Sequence, residues 1–438
     1  MALLWVATVQ SGMAVAKPST LQQGLQAGAA ETLLPVPRDT YLAGYGRDRK
    51  ATGSHDPLMA RVVLLSDADT TLAVVSADNI GLTRPDVQRI QQRSSVLLAA
   101  AGTQINPDHI IVSSTHTHAG PDVLGLWGKH ALASGRDPAL MTVWVEAIAR
   151  LLVTAAEARE PVLLSAASAA TPQAWVENRS EPGSLDDTLS TLTLVSAGSG
   201  ATMASLTNYA CHPTVLGPDN TLSSADWVSG FYQAMSASQP GVHLFLQGAI
   251  GGWVQPLQNT RTIEEARGYG RSLAAATLKL QQTAVVEADP QLDIATTTTH
   301  FELDNFGLRL LMWLGVMDRP TSSAGIPADL AWLRIGRTQL LTHPGETAPA
   351  YSIASRELLQ SQDPVFILGL TQDALGYILR PEFFADDAPY PDAEYLTSVS
   401  LGVKTGPELM RSIGQLLRSQ PATAAAPTPT DTAMETAR

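Results

Sequence analysis

The chain is expected to fold as a single large α/β domain of layered, mixed β-sheets flanked by helices. Two features of the sequence predict this. Short runs rich in β-branched and aliphatic residues alternate with longer amphipathic stretches, as in an α/β chain. Several of the strand-like runs also follow one another directly, which a purely doubly wound parallel sheet does not allow, so mixed sheets are expected. Residues 31–418 contain no internal repeat and no long linker, so they are read as one domain.

The chain opens on MALLWVATVQSGMAVA, which is apolar and ends in Ala14-Val15-Ala16 but lacks a basic start. Residues 1–30 are therefore read as an apolar leader or signal segment, with an extracytoplasmic location expected over a cytoplasmic one. Strands are expected at 60–66 (ARVVLLS), 71–77 (TLAVVSA) and 109–114 (HIIVSS). Thr83 and Asp86 have the spacing of a capping box for a helix presenting Val87, Ile90, Leu97 and Leu98 on one side. Residues 140–157 and 262–281 are further helices, 407–417 a closing one, and 189–195, 203–209, 242–246, 330–335 and 365–370 are strands. Residues 419–438, rich in Ala, Pro and Thr and without periodicity, read as a disordered tail.

Charge and composition remove whole classes of function. With 28 basic and 41 acidic residues the chain carries −13, spread along its length, and would repel a nucleic acid. No uninterrupted apolar run reaches the ~18 residues of a membrane span, so no transmembrane segment is expected. The 45% apolar content is enough for a sizeable core. Cys211 is the single cysteine, so no internal disulfide staples the fold. Its neighbour His212 suggests a Cys–His nucleophile, but adjacent residues on a strand point to opposite faces, and Cys211 reads as a small buried hydrophobe.

Three segments share a pattern, an apolar strand that delivers a titratable side chain to a Pro or Gly turn. HIIVSSTHTHAGPD (109–122) places His116 and His118 on one face of an extended backbone. Such a pair serves either as a metal ligand with a substrate-facing partner, or as two surface histidines beside a turn. A metallo-β-lactamase pattern would continue to Asp-His, whereas Gly120-Pro121 follows here. LTNYACHPTVLG (206–217) delivers His212, and Asp226 in SSADWVSG (223–230) is a candidate carboxylate to orient a ligand. TQLLTHPGE (338–346) ends on Glu346, expected to open a helix, where the dipole alone would favour an acid.

Gly44-Tyr45-Gly46, Asp56-Pro57-Leu58, THTHAGPD, NYACHP, HPGE and LGY occur in the order found in the neutral/alkaline (non-lysosomal) ceramidases. Over residues 33–417 the chain resembles the N-terminal catalytic domain of that family. The resemblance implies a Zn²⁺ held by His116, His212, Glu346 and Tyr377, the last in LGYILRPEFF, with His118 and Arg179 facing the substrate. It also implies hydrolysis of a lipid or small-molecule amide by metal-activated water. Two imidazoles, a carboxylate and a phenolic oxygen suit a borderline cation such as Zn²⁺. Tyr209, Tyr390 and Tyr395 are further candidates for the pocket wall, each more often a packing residue. The sequence departs from the family where ceramidases carry Gly-Asp-x-Ser-Pro, since Gly252 and Val254 of GAIGGWVQP stand at the Asp and Ser positions. The family's C-terminal β-sandwich domain is also expected to be missing. An esterase or another metallohydrolase on the same site, and a metal-binding protein that has lost its chemistry, remain the competing expectations.

Overall fold

The computed structural model describes residues 24–171, 175–257 and 260–419; the leader up to residue 23 and the tail from residue 420 lie outside the described residues. The strand Gln26–Leu34 begins inside the 1–30 segment read as a leader, so that boundary falls too late. Its sequence, QAGAAETLL, has little strand propensity, and antiparallel pairing of all nine residues with Leu58–Ser66 holds it. Gly28 in this strand is required by close approach, because a Cβ there would overlap the Ala155 carbonyl of the neighbouring helix.

The main sheet runs, edge to edge, Val242–Gln247, Thr202–Tyr209, Thr188–Ser196, Glu160–Ala170, Gln26–Leu34, Leu58–Ser66, Thr71–Ala77 and Ile110–Ser114. The two outermost pairs are parallel and the pairs between them antiparallel, the mixed arrangement expected. The sheet curls until its edges meet. Ser76 Oγ donates to the Phe245 carbonyl at 2.5 Å, and Gln247 Nε2 donates to the Thr115 carbonyl at 3.0 Å. This closure decides the position of the site, because it brings the loop after Ile110–Ser114 against the loop after Thr202–Tyr209.

A second sheet, Leu292–Phe301, Ile326–Ile335, Thr338–Thr342 and Val365–Leu368, stacks on the first. Between them lies a dry layer that includes Val63, Val74, Leu194, Leu206, Leu246, Leu333, Leu340 and Phe366. Helices Arg84–Ala100, Pro138–Glu157, Trp227–Ser238 and Ile263–Gln281 cover the outer face of the first sheet. Helices Phe306–Trp313 and Thr405–Arg418 pack on the second. The result is one α/β/β/α domain. Pro138–Glu157 is the one described helix long and apolar enough to cross a membrane, and Leu140, Trp144, Ile148 and Leu152 bury its inner face in the core.

Thr83 occupies the N-cap position of the helix Arg84–Ala100, but the capping box is not formed. The Thr83 hydroxyl donates to the Asp86 carboxylate at 2.9 Å instead of accepting a backbone N–H. Asp86 is committed to a buried salt bridge with Arg136. Leu97 is half-buried, and the inner face of this helix is Val87, Ile90, Gln91, Ser94 and Leu98.

Candidate metal centre

The strand Ile110–Ser114 ends two residues before His116, so the two histidines do not share a strand face. His116 has φ +70°, a left-handed conformation that costs free energy in a non-glycine residue. It is held there by its N–H donating to the Asn79 carbonyl at 2.8 Å and by Nδ1 against the Ile80 carbonyl at 2.5 Å. This turn, rather than strand alternation, brings His118 back beside it, with the two Nε2 atoms 3.2 Å apart. Gly44 at φ +94° lies flat against the His118 ring, where any side chain would overlap the imidazole. Tyr45 meets the same ring edge-on, with centroids 5.0 Å apart.

His212 stands three residues past the end of Thr202–Tyr209. Its Nδ1 faces the Val254 carbonyl at 2.8 Å, and its N–H donates to the same oxygen at 2.9 Å. Asp226 does not orient it, contrary to expectation. That carboxylate accepts from the N–H groups of Val215, Leu216 and Trp227 and fixes the loop beyond. Asp56 has a similar structural duty, accepting from Ser224 Oγ and the Ala225 N–H.

The residue that sequence reading missed is Gln247. Its amide nitrogen donates to the carbonyls of Thr115 (3.0 Å) and Cys211 (2.9 Å), while its oxygen accepts from the N–H of Cys211 (3.1 Å) and Gly248 (3.0 Å). One fully buried side chain thus clamps the residue before His116 to the residue before His212. A polar residue closing the apolar run VHLFLQ was the available signal.

Glu346 does not open a helix. It lies in the two-residue strand Glu346–Thr347, and the next helix starts at Pro349. That strand pairs in parallel with Tyr377–Ile378, and Glu346 and Tyr377 are direct partners in the register. Pairing alone therefore places the carboxylate beside the phenol. Glu346 Oε2 reaches His212 Nε2 at 3.2 Å and His116 Nε2 at 3.4 Å. Tyr377 Oη accepts from the Trp253 indole N–H at 2.7 Å. Arg179 is not brought to this cluster. Its side chain is 53% exposed, pairs with Asp392 at 3.1 Å and lies over the Trp253 ring, 4.9 Å from its centroid.

Electrostatics test whether a cation belongs here. With Nδ1–H given to a carbonyl, a neutral His116 or His212 has only a lone pair at Nε2. Both lone pairs then face a carboxylate oxygen. Burial would raise the Glu346 pKa, but the adjacent His116 and His212 outweigh it and hold the group well below the usual carboxylate range. Burial, followed by the neighbouring histidines, pushes His118 well below the ordinary imidazole value. His212 is also lowered, by burial first. Protonating His118 and His212 is thus disfavoured, and a cation among His116, His212 and Glu346 would meet the nitrogen and carboxylate lone pairs that converge there. Two imidazoles and a carboxylate, with a phenol alongside, fit Zn²⁺. Tyr377 is pushed well above the usual phenol value, by burial first and then by Glu346.

The centre lies at one end of an apolar pocket walled by Ile80, Leu124, Trp127, Leu308, Met312 and Leu401. Of the three tyrosines considered for the wall, Tyr395 lines it. Tyr390 stacks on Phe383 with centroids 4.0 Å apart, and Tyr209 packs against Trp175 in the core. Cys211 is buried, its thiol pushed up by burial, and it accepts from Tyr269 Oη at 3.2 Å. Gly252, at φ +85°, and Trp253, at φ +63°, form the turn that carries Val254, so the segment that departs from the family abuts the centre directly.

Fold and site together define a two-sheet α/β architecture with a buried histidine–carboxylate cluster. Among solved structures, the chain is similar to the neutral ceramidase from Pseudomonas aeruginosa, with a TM-score of 0.70 and 16% identity over 90% of this chain and 74% of that one. It is similar to a ceramidase complexed with C2 to the same TM-score of 0.70, at 17% identity over 90% of this chain and 75% of that one. The chain therefore has a ceramidase-like fold. No protein-family model and no curated protein matches it by sequence.

Proposed function

We propose that this protein is a zinc-dependent hydrolase that cleaves the amide bond of an N-acyl amine or ceramide-like lipid. The observation that carries the reading is the convergence of His116, His212 and Glu346 at the end of an apolar pocket within a ceramidase-like fold. These three residues, with Tyr377 beside them, would hold the cation. A bound Zn²⁺ supplies Lewis acidity and an ionisable water near neutral pH.

The side chains divide the remaining work. His116 and His212 each spend Nδ1–H on a backbone carbonyl, the arrangement usual for ligating imidazoles. His118 Nδ1 is buried against Gly44 with no carbonyl partner among the described residues, unlike Nδ1 of the other two rings, and its Nε2 faces the centre, which supports a substrate-facing role. There His118 passes a proton taken from the attacking water to the nitrogen of the leaving amine, or donates to the carbonyl oxygen as charge develops on it. Arg179 sits at the rim, where it meets substrate only by leaving Asp392. The pocket walls accept an acyl chain and exclude water from the reacting bond.

Gly252 and Val254 bring neither the carboxylate nor the hydroxyl of the ceramidase segment, and Trp253 instead bonds Tyr377 and packs on Tyr395, two residues of the pocket wall. Polar contacts that could hold a sphingoid head group are thereby removed, so simpler N-acyl amines are the preferred substrates. The test is metal content together with hydrolysis of a panel of fluorogenic amides and esters, before and after chelation. Chelator-sensitive amide cleavage supports the reading. Turnover of esters alone would make the protein an esterase, and no turnover by a zinc-loaded chain would leave a metal-binding protein without this chemistry.

A further inference from the structure

The segment 306–315, FGLRLLMWLG, is apolar on both sides of its helix. Leu308 and Met312 point inward and line the pocket that ends at the metal centre. On the outside, Phe306 is 74%, Trp313 80% and Leu314 45% exposed, and the first two are the most exposed large hydrophobic residues among those described. A surface helix of a globular protein normally turns a polar face to water. Here the one charged residue, Arg309, folds its guanidinium back onto the Leu303 carbonyl. A contiguous apolar surface of this kind marks an interaction site.

We infer that the helix Phe306–Trp313 docks the protein on a lipid bilayer and feeds lipid into the pocket, an inference that rests on the lipid-amide reading above. Continuity identifies the occupant. The outer face of the helix would enter the bilayer while its inner face is already the pocket wall, so an acyl chain passes from one apolar medium to the other without crossing water. Tyr395, 47% exposed and lining the same pocket, adds a second amphipathic aromatic that reaches from pocket to surface. Trp and Tyr favour the membrane–water interface. Eight residues are far fewer than the ~20 a span requires, so the helix lies on the surface. The net charge of −13 selects a zwitterionic over an anionic surface.

The experiment floats the full chain with phosphatidylcholine vesicles and compares it with the double variant Phe306→Asp/Trp313→Asp. Val285→Asp, which changes an exposed apolar residue on the main sheet, is the control. Wild type and control should float with the vesicles, and the double variant should bind about tenfold more weakly or worse. Its hydrolysis of a water-soluble short-chain amide should be unchanged, which shows that it is folded. The inference is overturned if the wild type does not bind vesicles, or if the double variant binds equally well. It also falls if light scattering shows a dimer that the double variant dissociates, since a second copy would then be what covers the helix. Loss of vesicle binding with the soluble amide still cleaved would leave the hydrolase reading standing. Vesicle binding by a chain that cleaves no amide would remove that reading and keep the docking.

Discussion

Each histidine of the centre is set by a contact that leaves one ring nitrogen free. The Ile80 and Val254 carbonyls fix the tautomers of His116 and His212, and the ring of His118 rests on Gly44. We predict that His212→Ala and Glu346→Ala purify with little zinc, measured by elemental analysis against a wild type carrying about one ion per chain. Full zinc in both variants would refute the ligand assignment. His118→Ala should retain its metal and lose roughly 10²-fold or more in kcat. Zinc lost together with activity would instead make His118 a ligand. Gly44→Ala places a methyl group where the His118 ring lies and should lower kcat with metal content unchanged. Wild-type kcat in this variant would show that the ring has room to shift.

At the scale of elements, short pairings do what long ones cannot. The two-residue ladder of Glu346–Thr347 with Tyr377–Ile378 fixes a carboxylate beside a phenol across thirty residues of intervening chain. Gln247, at the end of an edge strand, joins the loops that carry His116 and His212. Gln247→Ala leaves the buried Thr115 and Cys211 carbonyls and the Cys211 N–H short of partners, while the Gly248 N–H keeps the Tyr209 carbonyl, and each unsatisfied group costs about 1–3 kcal/mol. We therefore expect a loss of about 3 kcal/mol or more in denaturant unfolding. Zinc affinity should weaken in the same variant, because the loop spacing is no longer held. Unchanged stability and unchanged zinc affinity would show that the curled sheet holds the loops without the clamp.

The whole molecule joins a dry two-sheet core to a pocket walled in part by one apolar helix. Substrate choice belongs to this scale, because it depends on the wall formed by Tyr377 and Tyr395, both backed by Trp253, together with Leu308 and Met312 on another element. We predict a higher kcat/KM for simple long-chain N-acyl amines than for a ceramide of the same acyl length. Missing polar contacts of this type shift preference by orders of magnitude. A ceramide value tenfold above every other amide would show that Gly252 and Val254 do not mark a change of substrate.

The sequence by itself determined the class of fold, most element positions and three of the four segments that meet at the centre, the fourth, around Tyr377, being implied by the resemblance to ceramidases. Those features are local: apolar periodicity, Pro and Gly turns, and a titratable residue at the end of a buried run. Helices at Pro138–Glu157 and Ile263–Gln281 lie within two residues of where periodicity put them. Tertiary structure decided what local pattern does not encode. Gln26–Leu34 became a strand because Leu58–Ser66 pairs with it, despite a leader-like composition. Asp86 left its cap for Arg136, and Asp226 took backbone N–H groups in place of a histidine. Arg179 came to rest on Trp253 and Asp392, and His116 acquired its left-handed turn from carbonyls more than thirty residues away. Except for Asp226, whose partners lie within eleven residues, the partner that fixed each residue is distant in sequence, and the tertiary fold brings it within reach.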